Sequence, residues 1–346
     1  MLYKELGKTG LNVSAVSFGA LPLMRLQEAD AVELLRAAYD AGINYFDTAR
    51  HYQDSENKVG EAFKDVVREK IYIATKTYGR NRKDITSDLE ESLSRLKTDY
   101  IDLYQLHNLR EYPEAGSDYA IELYDTLLEA KKKGYIRHIG VTTHRFDVAQ
   151  AALDSDVFET IMFPLSYLAT DKEIAFTKEC SAKGKGCIAM KALSGGLVRS
   201  IPAAYAFLNE EADVVPIWGM QRISELNEFI ALEKAGVKLN EALWSEIKKD
   251  KEELAGNFCR GCAYCMPCPV GIEIEPANRM ALFLGRTDTA IWLNDKGRAR
   301  MDLIKECKEC RQCVSRCPYE LNVPETLKQN LKVYDEYYER YLREKA

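Results

Sequence analysis

The chain has 346 residues, 46% of them apolar and 29% charged, with a formal net charge of −6. That length holds one domain of about 250 residues beside a smaller one, and an acidic balance broken only by short basic runs such as Lys131-Lys132-Lys133 excludes a nucleic-acid footprint. No stretch approaches the ~18 uninterrupted apolar residues of a membrane span, and the polar start from Met1 to Ser14 lacks the apolar core of a secretion signal, so a cytoplasmic protein is expected.

The first element, Leu2 to Ser14, reads as a hairpin turning at Gly7-Lys8-Thr9-Gly10. Gly7-Lys8-Thr9 has the look of the end of a phosphate loop, but Leu2 stands where the earlier glycine is required. From Val16 to Trp218, short apolar, β-branched runs alternate with segments of helical period. Candidate strands are Val16 to Gly19, Ile43 to Asp47, Ile71 to Lys76, Ile101 to Leu106, Ile136 to Val141, Thr160 to Phe163, Gly186 to Met190 and Val214 to Trp218. Their starts lie roughly 24 to 35 residues apart, the length of one strand-helix unit. Candidate helices include Ala29 to Ala41, Thr86 to Leu96, Ile121 to Lys133 and Glu173 to Lys183, and Gly42, Gly134 and Gly184 stand just past three of them as helix stops. Eight such units predict a (β/α)8 TIM barrel over residues 1–245, with chemistry at the C-terminal ends of its strands. An open doubly wound sheet is disfavoured by the lack of G-x-G-x-x-G after the first strand.

A charged helix from Glu241 to Leu254 leads into residues 246–346, expected to be a small, mostly helical ferredoxin-like domain. Eight of the ten cysteines fall here, in the runs Cys259, Cys262, Cys265, Cys268-Pro269 and Cys307, Cys310, Cys313, Cys317-Pro318. The second is the full bacterial ferredoxin pattern, and the first is one residue short before its last cysteine. The runs therefore read as ligands of two [4Fe-4S] clusters. The crossed assignment gives Cys259, Cys262, Cys265 and Cys317 to one cluster, and Cys307, Cys310, Cys313 and Cys268 to the other. Paired zinc sites compete, but need neither the third evenly spaced cysteine nor the fourth before proline. In the terminal helix, Leu331, Tyr334, Tyr338 and Leu342 share a face expected to pack on the core. Cys180 and Cys187 read as ordinary buried thiols.

Asp47, Tyr52, Lys76 and His107 sit at or just past the ends of neighbouring candidate strands. Singly, each has an ordinary explanation as a cap, a packed ring, a solvated charge or a core histidine. Together they suggest proton chemistry, with a lysine lowering the pKa of a tyrosine that acts as acid, an aspartate fixing the lysine, and a histidine orienting a carbonyl oxygen.

Here the chain resembles the aldo-keto reductase family over about residues 1–245. The match is carried by Leu6-Gly7-Lys8-Thr9-Gly10-Leu11-Asn12-Val13-Ser14, Phe46-Asp47-Thr48-Ala49-Arg50-His51-Tyr52, Ser55-Glu56 with Val59-Gly60, Ala74-Thr75-Lys76, Asp102-Leu103-Tyr104 before His107, and Ile139-Gly140-Val141. The two cysteine runs resemble a branch with a C-terminal ferredoxin-like extension. The resemblance implies a barrel that uses NADPH, with Asp47, Tyr52, Lys76 and His107 as the catalytic set. It also implies nucleotide contacts at Gly19, at Thr142 and Thr143, at Ser194-Gly195-Gly196 near the pyrophosphate, and at Gly219, Gln221 and Arg222 near the adenosine phosphate. Thr142-Thr143-His144 departs from the usual Ser-Asn, Met162 stands where a glutamine is usual, and Met190 where an aromatic ring is usual.

The expected function is NADPH-linked reduction of a small carbonyl compound, or the reverse alcohol oxidation, accompanied by electron transfer through the clusters to a ferredoxin-type partner. Hydride carries two electrons and each cluster one, a mismatch that proteins usually bridge with flavin; no motif here marks a flavin site. The competing expectations are a non-enzymatic, redox-sensing or regulatory barrel and a flavin-linked electron-transfer oxidoreductase.

Overall fold

The computed structural model describes residues 1–254, 258–261, 264–286, 289, 292–317 and 319–345; Cys262 and Pro318 of the cysteine runs lie outside the described residues. The chain divides into two compact units, Met1–Ala192 with Ser200–Ile247, and Leu193–Arg199 with Lys248–Ala346. The segment Leu193–Arg199, which lies within the stretch expected to be barrel, thus belongs to the second unit.

In the first unit, β1 (Tyr3–Glu5) and β2 (Asn12–Ser14) pair antiparallel. Their turn requires glycine at position 7, where φ is +58° and a Cβ would lie 2.3 Å from the backbone nitrogen of Gly186. Lys8 N–H donates to the Gly184 carbonyl at 2.9 Å, so this turn is tied to the barrel floor. Leu6, Leu11 and Val13 are buried there in one cluster with Tyr45, Ala74, Leu103, Met162, Ile188 and Val215.

The barrel strands are β3 (Ser17–Gly19), β4 (Tyr45–Asp47), β5 (Tyr72–Thr77), β6 (Ile101–Leu106), β7 (Ile136–Thr142), β8 (Thr160–Pro164), β9 (Gly186–Met190) and β10 (Val215–Gly219). All neighbours are parallel, and β10 closes on β3 through Ile217 opposite Ser17. The intervening helices are α1 (Glu28–Asp40), α2 (Ser55–Phe63), α3 (Arg82–Leu96), α4 (Asp118–Lys132), α5 (Phe146–Ala152), α6 (Asp171–Ala182), α7 (Ile201–Glu210) and α8 (Ile223–Ala235). Gly42, Gly134 and Gly184 follow α1, α4 and α6 with φ of +96°, +81° and +73°, the left-handed geometry that ends a helix. Thr170 and Glu173 form a reciprocal capping box at the start of α6. Cys180 and Cys187 are both buried.

After α9 (Glu241–Glu253), the second unit carries α10 (Ile274–Ala277), α11 (Met280–Arg286), α12 (Asp295–Asp302), α13 (Gln312–Ser315) and α14 (Val323–Lys345). Its core joins Ile272, Ile274, Met280, Met301, Leu327 and Tyr334, with Leu331 and Tyr338 packed against it. Leu342 does not continue that face and is 50% exposed, while Tyr341 packs instead. A four-residue step drifts about 40° around a helix of 3.6 residues per turn, so over two steps the apolar face passes to the residue before.

Candidate active site

Strand alternation selects the side chains of the barrel mouth. Tyr45, Ala74 and Leu103 lie in the buried interior cluster, so the residues two positions on in β4, β5 and β6, namely Asp47, Lys76 and Gln105, face the same way one layer higher. Lys76 and Asp47 form an ion pair with side chains only 1% and 2% exposed. Lys76 Nζ also donates to the Thr48 carbonyl at 2.6 Å, and Gln105 Nε2 donates to Asp47 Oδ2 at 3.1 Å. Just beyond, Lys76 Nζ lies 5.3 Å from the centre of the Tyr52 ring, and the Tyr52 and His107 rings meet edge to face at 5.7 Å. The structure therefore brings all four expected residues together.

The local chain explains how they are held. Thr48 Oγ1 donates to Ser55 Oγ at 2.9 Å, and Ser55 Oγ to the Ala20 carbonyl at 3.1 Å, bracing the loop that carries Tyr52 between β4 and α2. His107 N–H donates to the Thr77 carbonyl at 2.8 Å, and its own carbonyl accepts from Arg80 Nη2 at 2.5 Å. Tyr78 stacks on the imidazole at 4.3 Å with planes 16° apart, and His51 meets Tyr78 edge-on.

Burial dominates the electrostatics. It raises the Asp47 carboxyl and lowers the Lys76 ammonium, while their mutual attraction and hydrogen bond act the other way on each. His107 is lowered well below the ordinary imidazole range, by burial first and the Lys76 charge second, which keeps the ring neutral with one nitrogen able to donate. Tyr52 runs against expectation. Lys76 does not lower it; burial raises the phenol, and the Asp47 carboxylate and Tyr78 raise it further. The physical reason is that Asp47 offsets the lysine charge and leaves desolvation to decide, so the phenol stays protonated.

Sequence reasoning missed Gln105 and Tyr78. Parity within β6 points to Gln105, two residues before His107, but nothing local signals that Tyr78 will lie flat on a ring 29 positions away.

Among the residues expected to hold a nucleotide, Gly19, Thr142, Thr143, Gly219, Gln221 and Arg222 belong to the barrel unit, and Ser194, Gly195 and Gly196 to the second. Gly19 and Gly219 pair in register between β3 and β10. The threonine hydroxyls are engaged by the loop after β6: Thr142 Oγ1 accepts from Asn108 N–H at 2.7 Å, and Thr143 Oγ1 donates to the Leu109 carbonyl at 2.8 Å. Arg222 is 69% exposed and paired with Glu225 at 2.5 Å, whose other oxygen accepts from Gln221 N–H. Ser194, Gly195 and Gly196 have φ of +49°, +65° and +91°, three successive residues in the left-handed region.

In the second unit, Cys265, Cys268, Cys307, Cys310 and Cys313 line a cavity of about 190 Å³ whose apolar walls include Val270, Ile272, Ile274 and Leu327. That is several times the ~30 Å³ share of one water molecule. Cys265 and Cys268 of the first run thus share a cavity with the first three cysteines of the second. Cys259 is raised by burial, and Cys317 is among the charges acting on it, so the last cysteine of the second run is near the first of the other. The donor chemistry fits iron-sulfur cubes held by thiolates in an apolar surround.

A closed parallel barrel with a buried Asp-Lys pair beneath a tyrosine and a histidine is thus followed in the chain by a cysteine-rich unit. The aldo/keto reductase family model matches residues 15–203, and a 4Fe-4S dicluster domain model matches residues 258–322. The chain belongs to the aldo/keto reductase family and carries a C-terminal 4Fe-4S dicluster domain. It is 34% identical over 216 residues to L-galactose dehydrogenase of Arabidopsis thaliana, a match covering 56% of this chain and 66%, less than two thirds, of that protein. It is 34% identical over 171 residues to methylglyoxal reductase DkgB of Salmonella typhi, covering 47% of this chain and 62% of the relative. Among solved structures, aldo-keto reductase AKR11C1 from Bacillus halodurans superposes with a TM-score of 0.63 at 24% identity, over 72% of this chain and 96% of the other, a likeness of fold. The thermostable aldo-keto reductase Tm1743, solved with the inhibitor epalrestat, gives a TM-score of 0.60 at 26% identity over 73% and 99%. Among the described residues, no helix is long and apolar enough to cross a membrane.

Proposed function

We propose that the barrel catalyses NADPH-linked reduction of a small carbonyl compound and the reverse oxidation of the alcohol, and that the C-terminal unit holds two [4Fe-4S] clusters in crossed ligand sets. The observation that carries the first part is the buried Asp47-Lys76 pair set 5.3 Å beneath the Tyr52 ring. Buried ion pairs are poor stabilisers, since desolvating two charges rivals their attraction. An ammonium kept under a phenol at that cost has a chemical use.

When bound, the nicotinamide supplies a hydride to the carbonyl carbon. Tyr52, held protonated by burial, donates its phenolic proton to the oxygen as negative charge develops there. Lys76 then stabilises the phenolate, and Asp47, braced by Gln105, fixes the ammonium in place. Neutral His107 donates a hydrogen bond that orients the carbonyl oxygen, its plane set by the stacked Tyr78. Gly19, Thr142, Thr143, Gly219 and Gln221 are the proposed nucleotide contacts in the barrel unit.

The test is consumption of NADPH by anaerobically purified protein across a panel of aldehydes and ketones. No turnover with any of them, together with co-purifying flavin, would replace this reading with a flavin-linked one, and no turnover without flavin would favour a redox-sensing barrel. Cofactor choice has its own check. Arg222→Ala should raise KM for NADPH about tenfold and leave KM for NADH within about twofold, because only the former presents a 2′-phosphate to the guanidinium. Equal changes for both nucleotides would remove Arg222 from the site and leave it as the partner of Glu225.

A further inference from the structure

Arg279, just past α10, is 3% exposed, and its guanidinium is engaged on several sides. Nη2 donates to the carbonyls of Ser194 and Gly195, both at 2.9 Å, and Nη1 to Glu275 Oε1 at 2.9 Å. The Phe283 ring lies 4.7 Å from the guanidinium carbon. A Cβ built on Gly261 would come within 2.7 Å of Nη1, so the loop of the first cysteine run passes against the same group. A Cβ on Gly195 would meet the same nitrogen at 3.1 Å. Arg279 is therefore packed against two loops of the second unit, one carrying the first cysteine run and the other Ser194-Gly195-Gly196.

The second loop needs such a hold. Ser194 sits at φ +49°, a region that an L residue other than glycine, asparagine or aspartate seldom adopts unless its surroundings impose it. Its carbonyl and the next are the ones Arg279 captures. At the far end of the segment, Arg199 N–H donates to Asp250 Oδ2 at 3.4 Å and Arg199 Nη2 to the Gly285 carbonyl at 3.2 Å. Both ends are thus fastened within the second unit, and the guanidinium holds two successive carbonyls through Nη2 while Nη1 is held by Glu275.

We infer that Arg279 is a positioning residue through which the first cysteine run sets the order of Ser194-Gly195-Gly196, so that this loop is held in place only when the first cluster is assembled. Cysteine ligation fixes the loop around Gly261, which walls one side of the guanidinium. Without it the guanidinium gains room to move, and the carbonyls it holds are released.

The experiment compares full-length, anaerobically purified wild type and Arg279→Gln by iron content and amide hydrogen exchange of residues 193–199. At equal iron content, Arg279→Gln should exchange the loop amides about tenfold faster. Removing the clusters from wild type should produce the same change, and removing them from the variant should add little. Unchanged loop exchange in the iron-replete variant, or wild-type exchange indifferent to iron, overturns the inference. If Arg279→Gln does not retain iron, Arg279→Lys, which keeps the charge but loses the second nitrogen held by Glu275, is judged by the same outcomes.

Discussion

Tyr52→Phe should lower carbonyl reduction by about 10²- to 10⁴-fold while leaving NADPH affinity within about twofold, the cost of removing one positioned acid. The substitution deletes a single oxygen, and the ring keeps its contacts with Lys76 and His107. Burial and the Asp47 carboxylate hold the phenol protonated, so wild type has its acid loaded across the neutral range. The same burial makes the phenolate costly once the proton is given up, and this is where Lys76 acts. Lys76→Met should therefore lower kcat as severely as Tyr52→Phe, and combining the two should cost little more than either alone, because they serve one proton transfer. Near-normal turnover by Tyr52→Phe with its best substrate would show that another group delivers the proton and would undo the proposed mechanism.

Iron content carries the second large effect. Wild type made without oxygen should be brown and contain about eight iron and eight acid-labile sulfide per chain, and Cys268→Ala should hold about half of each. Pairing substitutions identifies which cluster is lost. Cys268 lines one cavity with Cys307, Cys310 and Cys313, so Cys268→Ala with Cys310→Ala should remove no more iron than either change alone. Cys268→Ala with Cys259→Ala should leave almost none. The opposite pattern would mean that each run ligates its own cube, and about two zinc per colourless chain would replace both clusters with structural metal.

Much of this architecture is legible locally. Strand-helix alternation, glycine past α1, α4 and α6, and evenly spaced cysteines are short-range patterns, because backbone hydrogen bonding and helix termination are settled within a few residues. Parity within a strand also carries Asp47 and Lys76 to the barrel mouth once closure is assumed. The terminal helix face is legible as far as Tyr338 and fails at Leu342, where a four-residue step outruns the helical period.

Other features belong to the folded chain. The phenol of Tyr52 moves up, not down, because its environment is set by how completely β4, β5 and β6 exclude water around Asp47 and Lys76, a collective property of residues 29 and more positions apart. Arg279 reads in the sequence as one more charge after a short helix, yet it is buried against carbonyls 84 and 85 positions earlier. The sequence by itself determined which residue types recur at which spacing, and hence the barrel, the cysteine runs and the four residues at the strand ends. Only the tertiary structure decided which charges lose their water and what they meet instead, because desolvation and long-range pairing depend on the whole packed surround and leave no periodic trace in the chain.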